Sequence, residues 1–271
     1  MLISSLWFAG SMVGILIVAR FGLYEPAQKL ARAANMSRAA TGQMLGYLTS
    51  APEFVATIFV AATGLFTVVS YNILGSNIAN VLLAVVAALW FKQLRRIGGR
   101  EFRFEQAIIA GSIVIPIVLL ITQQDSAVWT GIALFAGYLA YLRVMRTRHQ
   151  AAGPVEDEDA ALPWVDGRKR IAVQVAILVL GLIALYILGD ILGNSVYELG
   201  VAFGVPAVVL GGLTAITTSL PELTTFFMSY AAHKKAGTDG NTEVMHNMMA
   251  SNVANLFLIQ AVGIGIFQIF A

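Results

Sequence analysis

The sequence contains no cysteine and few charged residues, and both shortages narrow what the protein can be. Without cysteine, neither disulfide bonds nor thiolate chemistry is available. Charged residues make up 12% of the 271 positions, whereas an ordinary soluble domain has about 25%. Hydrophobic residues account for 58% of the chain, and the mean hydropathy is +0.77. The composition therefore excludes a soluble domain and indicates an integral membrane protein.

Eight apolar stretches are each long enough to cross about 30 Å of hydrocarbon. They are continuously apolar and do not alternate with polar residues, which favours α-helices over the strands of a β-barrel. We therefore predict an all-α polytopic membrane protein with about eight transmembrane helices. The predicted spans are about 3–19, 39–63, 68–91, 106–122, 127–144, 171–189, 200–230 and 244–270.

Lysine and arginine are missing from every second connection between these spans. All 17 of them follow the first, third, fifth or seventh span, and both ends of the chain have none. Basic connections face the cytoplasm, so we expect both termini on the outside of the cell membrane, whether inner or plasma membrane. No basic residue precedes the first apolar run, so a secretory signal peptide is not expected.

One polar pattern occurs twice in the apolar chain. Residues 49–53 (TSAPE) are followed by residues 72–80 (NILGSNIAN), and residues 218–222 (TSLPE) by residues 247–255 (NMMASNVAN). Helices interrupted by proline at matching points of two halves indicate a transporter's binding site. In the predicted topology the two Pro-Glu helices run in opposite directions. The two copies are therefore expected to form an inverted repeat.

Glu53 and Glu222 are the only carboxylates that we place within the bilayer. A charge at the centre of a transmembrane helix costs roughly 2.5 to 3.5 kcal/mol on insertion scales, and no intramembrane Lys or Arg is available to balance it. A bound cation or a proton must do so. The predicted site also has amide and hydroxyl oxygens, from Asn80, Asn255, Thr49, Ser50, Ser76, Thr218, Ser219 and Ser251.

An all-oxygen site with two formal negative charges suits Ca²⁺, which takes six to eight oxygen ligands. Several Na⁺ ions can neutralise the same two carboxylates. The sequence therefore predicts that the two ions replace each other at one site, which is the physical basis of exchange.

These motifs resemble the sodium/calcium exchangers of the cation/calcium antiporter superfamily. In that family two inverted repeats each carry Gly-Thr-Ser-x-Pro-Glu/Asp and then Gly-Asn-x-x-Gly-Ser-Asn-x-x-Asn/Asp, which here correspond to residues 48–80 and 217–255. The resemblance implies that Glu53, Glu222, Asn80 and Asn255 hold the cation. It implies that the six hydroxyl residues line the Na⁺ and Ca²⁺ positions, and that these transported ions are the only ligands, without a cofactor. It also implies alternating access, in which the first and sixth helices slide together across the core.

The sequence departs from this family pattern in several places. Asn255 stands where some members have Asp, so the site has two carboxylates instead of three. Leu48 and Thr217 replace the first Gly of each motif. The usual ten helices are reduced to eight, without the last two. Either those helices are dispensable, or a second copy or another subunit covers the exposed flank, or the natural chain is longer.

The expected organisation is two halves joined by a linker. Residues 1–144 form the first half with five helices, residues 145–170 a cytoplasmic linker with an acidic run at 156–159, and residues 171–271 the second half with three helices. The lipid bilayer is the expected environment, and no nucleic-acid partner is expected.

The predicted function is secondary active exchange of Ca²⁺ for Na⁺ at a midplane site, without enzymatic activity. Three alternatives remain open at this point. The first is exchange of Ca²⁺, or another divalent cation, for H⁺ carried by the glutamates. The second is a membrane-embedded hydrolase with two carboxylates around a water, although no His lies at mid-membrane. The third is a cation-binding membrane subunit that does not transport.

Overall fold

The protein is helical throughout the part that the structure, a computed structural model, describes: residues 2–62, 64, 66–151, 168–204, 215–216 and 218–270. This confirms the all-α prediction. Two segments, Ala19–Tyr24 and Ala254–Ile259, are π-helical, and Arg100–Phe102 forms a 3₁₀ turn. The α-helices are α1 (Leu2–Val18), α2 (Glu25–Ala33), α3 (Arg38–Thr49), α4 (Ala51–Ala62), α5 (Phe66–Trp90), α6 (Leu94–Ile97), α7 (Arg103–Ile121), α8 (Val128–Ala151), α9 (Arg168–Ala202), α10 (Leu220–Lys235), α11 (Asn241–Val253) and α12 (Gln260–Phe270).

Six continuous helical stretches are long and apolar enough to cross a membrane. They are Ser4–Ala33, Phe66–Trp90, Arg100–Ile121, Val128–Arg148, Arg170–Leu192 and Asn241–Phe270. The other two predicted spans contain the Pro-Glu motifs, and each is interrupted.

The interruptions have the same backbone geometry in both copies. The first falls at Ser50 (φ −82°, ψ 0°), between α3 and α4, and the second at Ser219 (φ −86°, ψ 8°), just before α10. Proline follows each serine by two positions and has no N–H to continue the helical bonds. Together with the six spans in the described residues, these two interrupted segments are compatible with the predicted total of about eight.

Two predicted boundaries were wrong. The first helix was predicted to end near residue 19, but it continues through the π-helical turn to Ala33. Pro26 is tolerated because it lies in the first turn of α2. The sixth helix continues past residue 189 to Ala202, since no proline interrupts it and Asn194 donates to Asp190 across one turn, at 3.3 Å.

Both ends of the predicted linker are helical. Helix α8 extends to Ala151 and α9 begins at Arg168, so both flanks of the 145–170 segment are helical. The rest of that segment, with its acidic run, lies outside the described residues, as does Thr217.

Helices α3 and α11 cross at the centre of the protein with their backbones in contact. Gly42 and Gly46 make this possible: a Cβ on Gly42 would overlap the backbone oxygen of Glu243, and one on Gly46 that of Asn247. Small residues four apart are a common means of close helix contact in membranes. This contact brings the end of α3, where the first motif begins, against the second motif.

Helices α1 and α9 pack along each other at one flank of this centre. Gly22 and Gly181 allow the approach, because a Cβ on Gly181 would lie 2.6 Å from the backbone oxygen of Gly22. Ile15, Leu23 and Leu185 form one apolar cluster with Leu220 of α10. The first and sixth spans are thus neighbours, as the family resemblance implied.

Two further carboxylates are buried, outside the Pro-Glu motifs. Glu243, at the start of α11, is 2% exposed and accepts hydrogen bonds from Gln28 (2.7 Å) and Ser229 (2.5 Å). Glu105, at the start of α7, is 4% exposed and lies 3.6 Å from Arg148. Both lie at the ends of the helices next to the basic connections, where they join helices to one another.

Candidate functional site

The two glutamates lie in the first turn of the helix that follows each break. Glu53 is 2% exposed and Glu222 is fully buried. A carboxylate in the first helical turn is stabilised by the free N–H groups and the helix dipole. Thr218 lies beside the carboxylate of Glu53, and Thr49 beside that of Glu222, so each copy contributes to the other's surroundings.

Hydroxyl groups at the breaks donate to backbone oxygens of the preceding helical turn. Thr49 donates to the carbonyl of Leu45 at 3.1 Å, and Ser50 to that of Gly46 at 3.0 Å. Thr218 donates to the carbonyl of Ala215 at 3.1 Å. These bonds keep the hydroxyl oxygens at the breaks, next to the glutamates.

Four asparagines join α5 to α11 and to the π-helical turn that follows it, with the same pattern in both directions. Asn77 donates to the backbone oxygen of Asn252 at 3.4 Å, and Asn252 to that of Asn77 at 3.2 Å. Asn80 donates to the side-chain oxygen of Asn252 at 3.0 Å, and Asn255 to that of Asn77 at 3.1 Å. Ser112 of α7 supports both, accepting from Asn77 at its backbone oxygen and from Asn252 at its hydroxyl.

This network determines which way the outer two amides point. The N–H₂ groups of Asn80 and Asn255 are engaged by the opposite motif, whereas their Oδ1 atoms are buried and have no hydrogen-bond partner among the described residues. Both amides therefore present an oxygen as a potential ligand.

The two copies differ at their serines. Ser251 donates to Glu222 at 3.1 Å, accepts from Asn80 at 2.9 Å and lies 2.8 Å from the hydroxyl of Ser50. The corresponding Ser76 has no such partners within the described chain. One carboxylate oxygen of Glu222 therefore has a hydrogen-bond partner, whereas neither oxygen of Glu53 has one among the described residues.

Buried oxygens without a hydrogen-bond partner are concentrated around these motifs. An unpaired buried polar group costs about 1 to 3 kcal/mol, and more when it is charged. Both carboxylate oxygens of Glu53 belong to this set, together with one of Glu222. Within the described residues, the other members in this region are oxygens of Thr57, Ser76, Asn80, Ser219, Asn247, Asn255 and Gln260.

The structure brings all ten predicted site residues into this one region. The sequence interpretation missed several neighbours. Asn77 lies in the first motif, and Asn252 lies at the equivalent position of the second. This repetition was a signal that could have identified them as the residues that orient Asn80 and Asn255. Nothing in the repeat pattern pointed to Ser112, which lies on α7. No group of three His, Cys, Asp or Glu side chains within the described residues is placed to hold a metal, in keeping with two carboxylates and many neutral oxygens.

Comparison with known proteins identifies the family. The model of the sodium/calcium exchanger protein family matches residues 3–146 and 173–269, which is most of the chain. A curated relative from Alkalimonas amylolytica, named "Putative antiporter CaxA", is 26% identical over 246 residues, covering 88% of this chain and 73% of that protein.

Solved structures of the sodium-calcium exchanger NCX_Mj share the fold. One, soaked with 2.5 mM Na⁺ and 10 mM Sr²⁺, aligns with a TM-score of 0.66 at 18% identity and covers 97% of this chain and 82% of the exchanger. Another, soaked with zero Na⁺ and Ca²⁺, aligns with a TM-score of 0.65 at 20% identity and covers 97% and 83%. At this identity the likeness establishes the fold alone.

Proposed function

Because the chain belongs to the sodium/calcium exchanger protein family, we propose that it exchanges Ca²⁺ for Na⁺ by alternating access at the site between the two Pro-Glu motifs. It is a multi-pass membrane antiporter rather than an enzyme. In the proposed arrangement it lies in the cell membrane with both termini outside, as the basic connections predict.

The buried, unpartnered oxygens carry the proposal. Glu53, Glu222, Asn80 and Asn255 supply five such atoms, and the hydroxyls of Ser76 and Ser219 add two more. All seven of these unpartnered atoms are oxygens, the ligand type of Ca²⁺ and Na⁺. A ligand that only accepts electron pairs satisfies all of them at once, whereas a structural role for these residues would leave them unpaired.

Charge balance explains why transport should be coupled. The carboxylates of Glu53 and Glu222 are close enough to repel each other. One divalent cation or more than one monovalent cation compensates both charges. A change of access without a cation would move two exposed negative charges through a low-dielectric core, which is strongly unfavourable.

The packing of α1 against α9 supports the proposed movement. The π-helical turn that follows α1 contacts α9 closely, at Gly22 and Gly181. A pair that is held together in this way can slide as one body across α4 and α10 and open the site to one side at a time.

Uptake of ⁴⁵Ca²⁺ into proteoliposomes tests the proposal. The purified chain is reconstituted, and the vesicles are loaded with Na⁺, with K⁺ or with acid. We expect uptake with internal Na⁺ only. We also expect Glu53→Gln and Glu222→Gln each to abolish it, because either change leaves one charge to balance a divalent ion. Glu198→Gln is the matched control, since this exposed glutamate lies at the outer end of α9, away from the site, where it accepts from Ser4.

Each other result has a defined meaning. Uptake driven by internal acid would replace Na⁺ with H⁺ as the coupling ion. Equilibrium ⁴⁵Ca²⁺ binding without flux would indicate a cation-binding subunit that does not transport. Normal uptake in either glutamine variant would contradict the proposed site.

A further inference from the structure

A second group of polar side chains lies on one side of the central site, among apolar residues. It consists of Asp125 in the turn between α7 and α8, Ser70 of α5, Thr57 of α4 and Gln260 of α12. The connection that carries Asp125 has no basic residue, so the group lies towards the predicted outer face. We call these four residues the outer cluster.

Three helices hold the turn that carries Asp125. Ser70, which is fully buried, donates to the carboxylate of Asp125 at 2.8 Å, and Gln260 donates to its backbone oxygen at 3.4 Å. Thr130 of α8 donates to the backbone oxygen of Gln124 at 2.7 Å. The carboxylate of Asp125 is therefore held against the buried ends of α5 and α12.

Two members of the outer cluster have buried oxygens without a hydrogen-bond partner in the described chain. Gln260 is fully buried, and its Oε1 is unpartnered while the N–H₂ of the same amide is engaged by Asp125. Thr57 is 2% exposed, and its Oγ1 is likewise unpartnered. The methyl group of Thr57 packs where Gly263 of α12 has no side chain. Unsatisfied polar groups among apolar residues need an explanation.

The outer cluster continues from the central site by helical steps. Thr57 follows Glu53 by four residues and so lies on the same face of α4, one turn further out. Gln260 follows Asn255 by five residues, which in an α-helix would rotate it about 140° away. The turn Ala254–Ile259 is π-helical, with bonds that join residues five apart, and this brings Gln260 above Asn255.

The repeat does not generate the outer cluster. Applied to the second motif, the same offsets that lead from Glu53 to Thr57 and from Ser76 to Ser70 lead to Phe226 and Met245. Both are buried in one apolar core. The buried polar group on the opposite side, around Glu243, lies at other positions of its helices and is hydrogen-bonded to Gln28 and Ser229.

We propose that the outer cluster is a second cation site, which holds a partly hydrated Ca²⁺ or Na⁺ ion between the outer solution and the central site. Its ligands are a carboxylate oxygen of Asp125, Oε1 of Gln260 and the hydroxyl oxygens of Ser70 and Thr57. Hydrogen bonds join Asp125 to Ser70 and Gln260, and the buried, unpartnered oxygens of Gln260 and Thr57 support the site independently of transport. Only its role in ion entry and release rests on the proposed function.

The ligand count predicts weak binding. Four protein oxygens with one formal charge leave two or more of the six to eight Ca²⁺ positions to water. Calcium sites with few charges bind in the range of about 10⁻⁴ to 10⁻³ M. Such an affinity allows an ion to occupy the outer cluster at external concentrations and still to leave it, as a site on a transport path requires.

Terbium luminescence provides a test that does not depend on transport. Tb³⁺ binds to the oxygen ligands that hold Ca²⁺ and emits when a nearby tryptophan is excited. Trp129 donates to the side chain of Gln124 at 3.2 Å and so adjoins Asp125. The acidic run at 156–159 also attracts Tb³⁺, so the quantity to measure is the part of the signal that Trp129→Phe removes from the purified full chain.

We expect this part to saturate, to be displaced by Ca²⁺ and to persist when Glu53→Gln and Glu222→Gln are combined. Asp125→Asn should weaken it roughly tenfold or more, because this change removes the only formal charge of the cluster. The asparagine can still accept from Ser70, so the turn is retained. Gln260→Leu, which removes the amide oxygen, should weaken it too.

Asp190→Asn is the matched control, because Asp190 is an outer carboxylate that contacts Asn194 and is not part of the cluster. The same result for Asp190→Asn and Asp125→Asn would mean that general surface charge attracts the ion. A signal that survives Asp125→Asn, or no Trp129-dependent signal at all, would mean that Asp125 only fastens the turn. Either result overturns the proposal, whether or not the wild type exchanges Ca²⁺.

In transporting vesicles the same variant should raise the external Ca²⁺ concentration for half-maximal uptake and leave the maximal rate unchanged. A lowered maximal rate with an unchanged half-saturation would contradict an entry site, since it would place the effect on the transport step itself.

Discussion

Asn252→Ala separates the residues that orient the central site from those proposed to bind the ion. The side chain of Asn252 is not among the described groups with an unpartnered oxygen, and it makes three hydrogen bonds: it accepts from Asn80 at 3.0 Å and donates to Asn77 and Ser112, both at 3.2 Å. The alanine variant removes all three and leaves every proposed ligand in place.

The size of the effect follows from these bonds. Side-chain hydrogen bonds between membrane helices average about 0.6 kcal/mol, so three of them contribute about 2 kcal/mol to folding stability. The loss for ion binding has another origin. Without Asn252, the amide of Asn80 keeps only Ser251 as an acceptor, and its Oδ1 is free to turn away from the site. Loss of a residue that orients a ligand typically weakens metal binding 10- to 100-fold.

Equilibrium ⁴⁵Ca²⁺ binding to the purified chain in detergent measures the affinity, and thermal unfolding without Ca²⁺ measures the stability. We expect Asn252→Ala to weaken binding by about tenfold or more while the chain remains folded at the assay temperature. Asn194→Ala is the matched control, because Asn194 donates only to the exposed Asp190. A folded Asn252→Ala variant with wild-type affinity would refute the reasoning, since the network would then not orient the ligands.

Two further predictions concern the fold. Gly46→Ala should destabilise the protein by about 1 to 3 kcal/mol, because the added Cβ would overlap the backbone oxygen of Asn247. Gly10→Ala should be tolerated, since no atom lies within 4 Å of its added Cβ. Thermal unfolding compares the two variants, and equal effects would contradict the close crossing of α3 and α11. Partial burial works against ionisation of Asp239, but hydrogen bonds from the following turn and from Arg96 outweigh it and hold its pKa below the usual 3.8. Asp239→Asn should therefore cost less than about 1 kcal/mol at neutral pH, as exposed ion pairs do. Because the lowered pKa stabilises the fold only above the unfolded value, this difference should disappear as the pH falls below about 4 in unfolding titrations; a difference that grows on acidification would contradict it.

Hydrophobic pattern and repetition predicted most of the fold. Long apolar runs must be helices in a bilayer, since every backbone polar group has to be satisfied within the segment. The two prolines predicted the breaks, because a proline has no N–H to donate to the preceding helical turn. Two boundaries were wrong. The first and sixth spans were predicted to end near residues 19 and 189, but the first helix continues through a π-helical turn and the sixth continues past the Asn194–Asp190 hydrogen bond.

Composition and spacing along single helices were enough to predict the membrane class, the two broken helices and the ten proposed ligands. The orientation of these side chains depends on contacts between helices, which only the packed structure shows. The reciprocal bonds of Asn77 and Asn252 join residues far apart in the chain, and no local pattern encodes such a contact. The outer cluster arises for the same reason, since its four residues come from four elements and meet only when the helices pack.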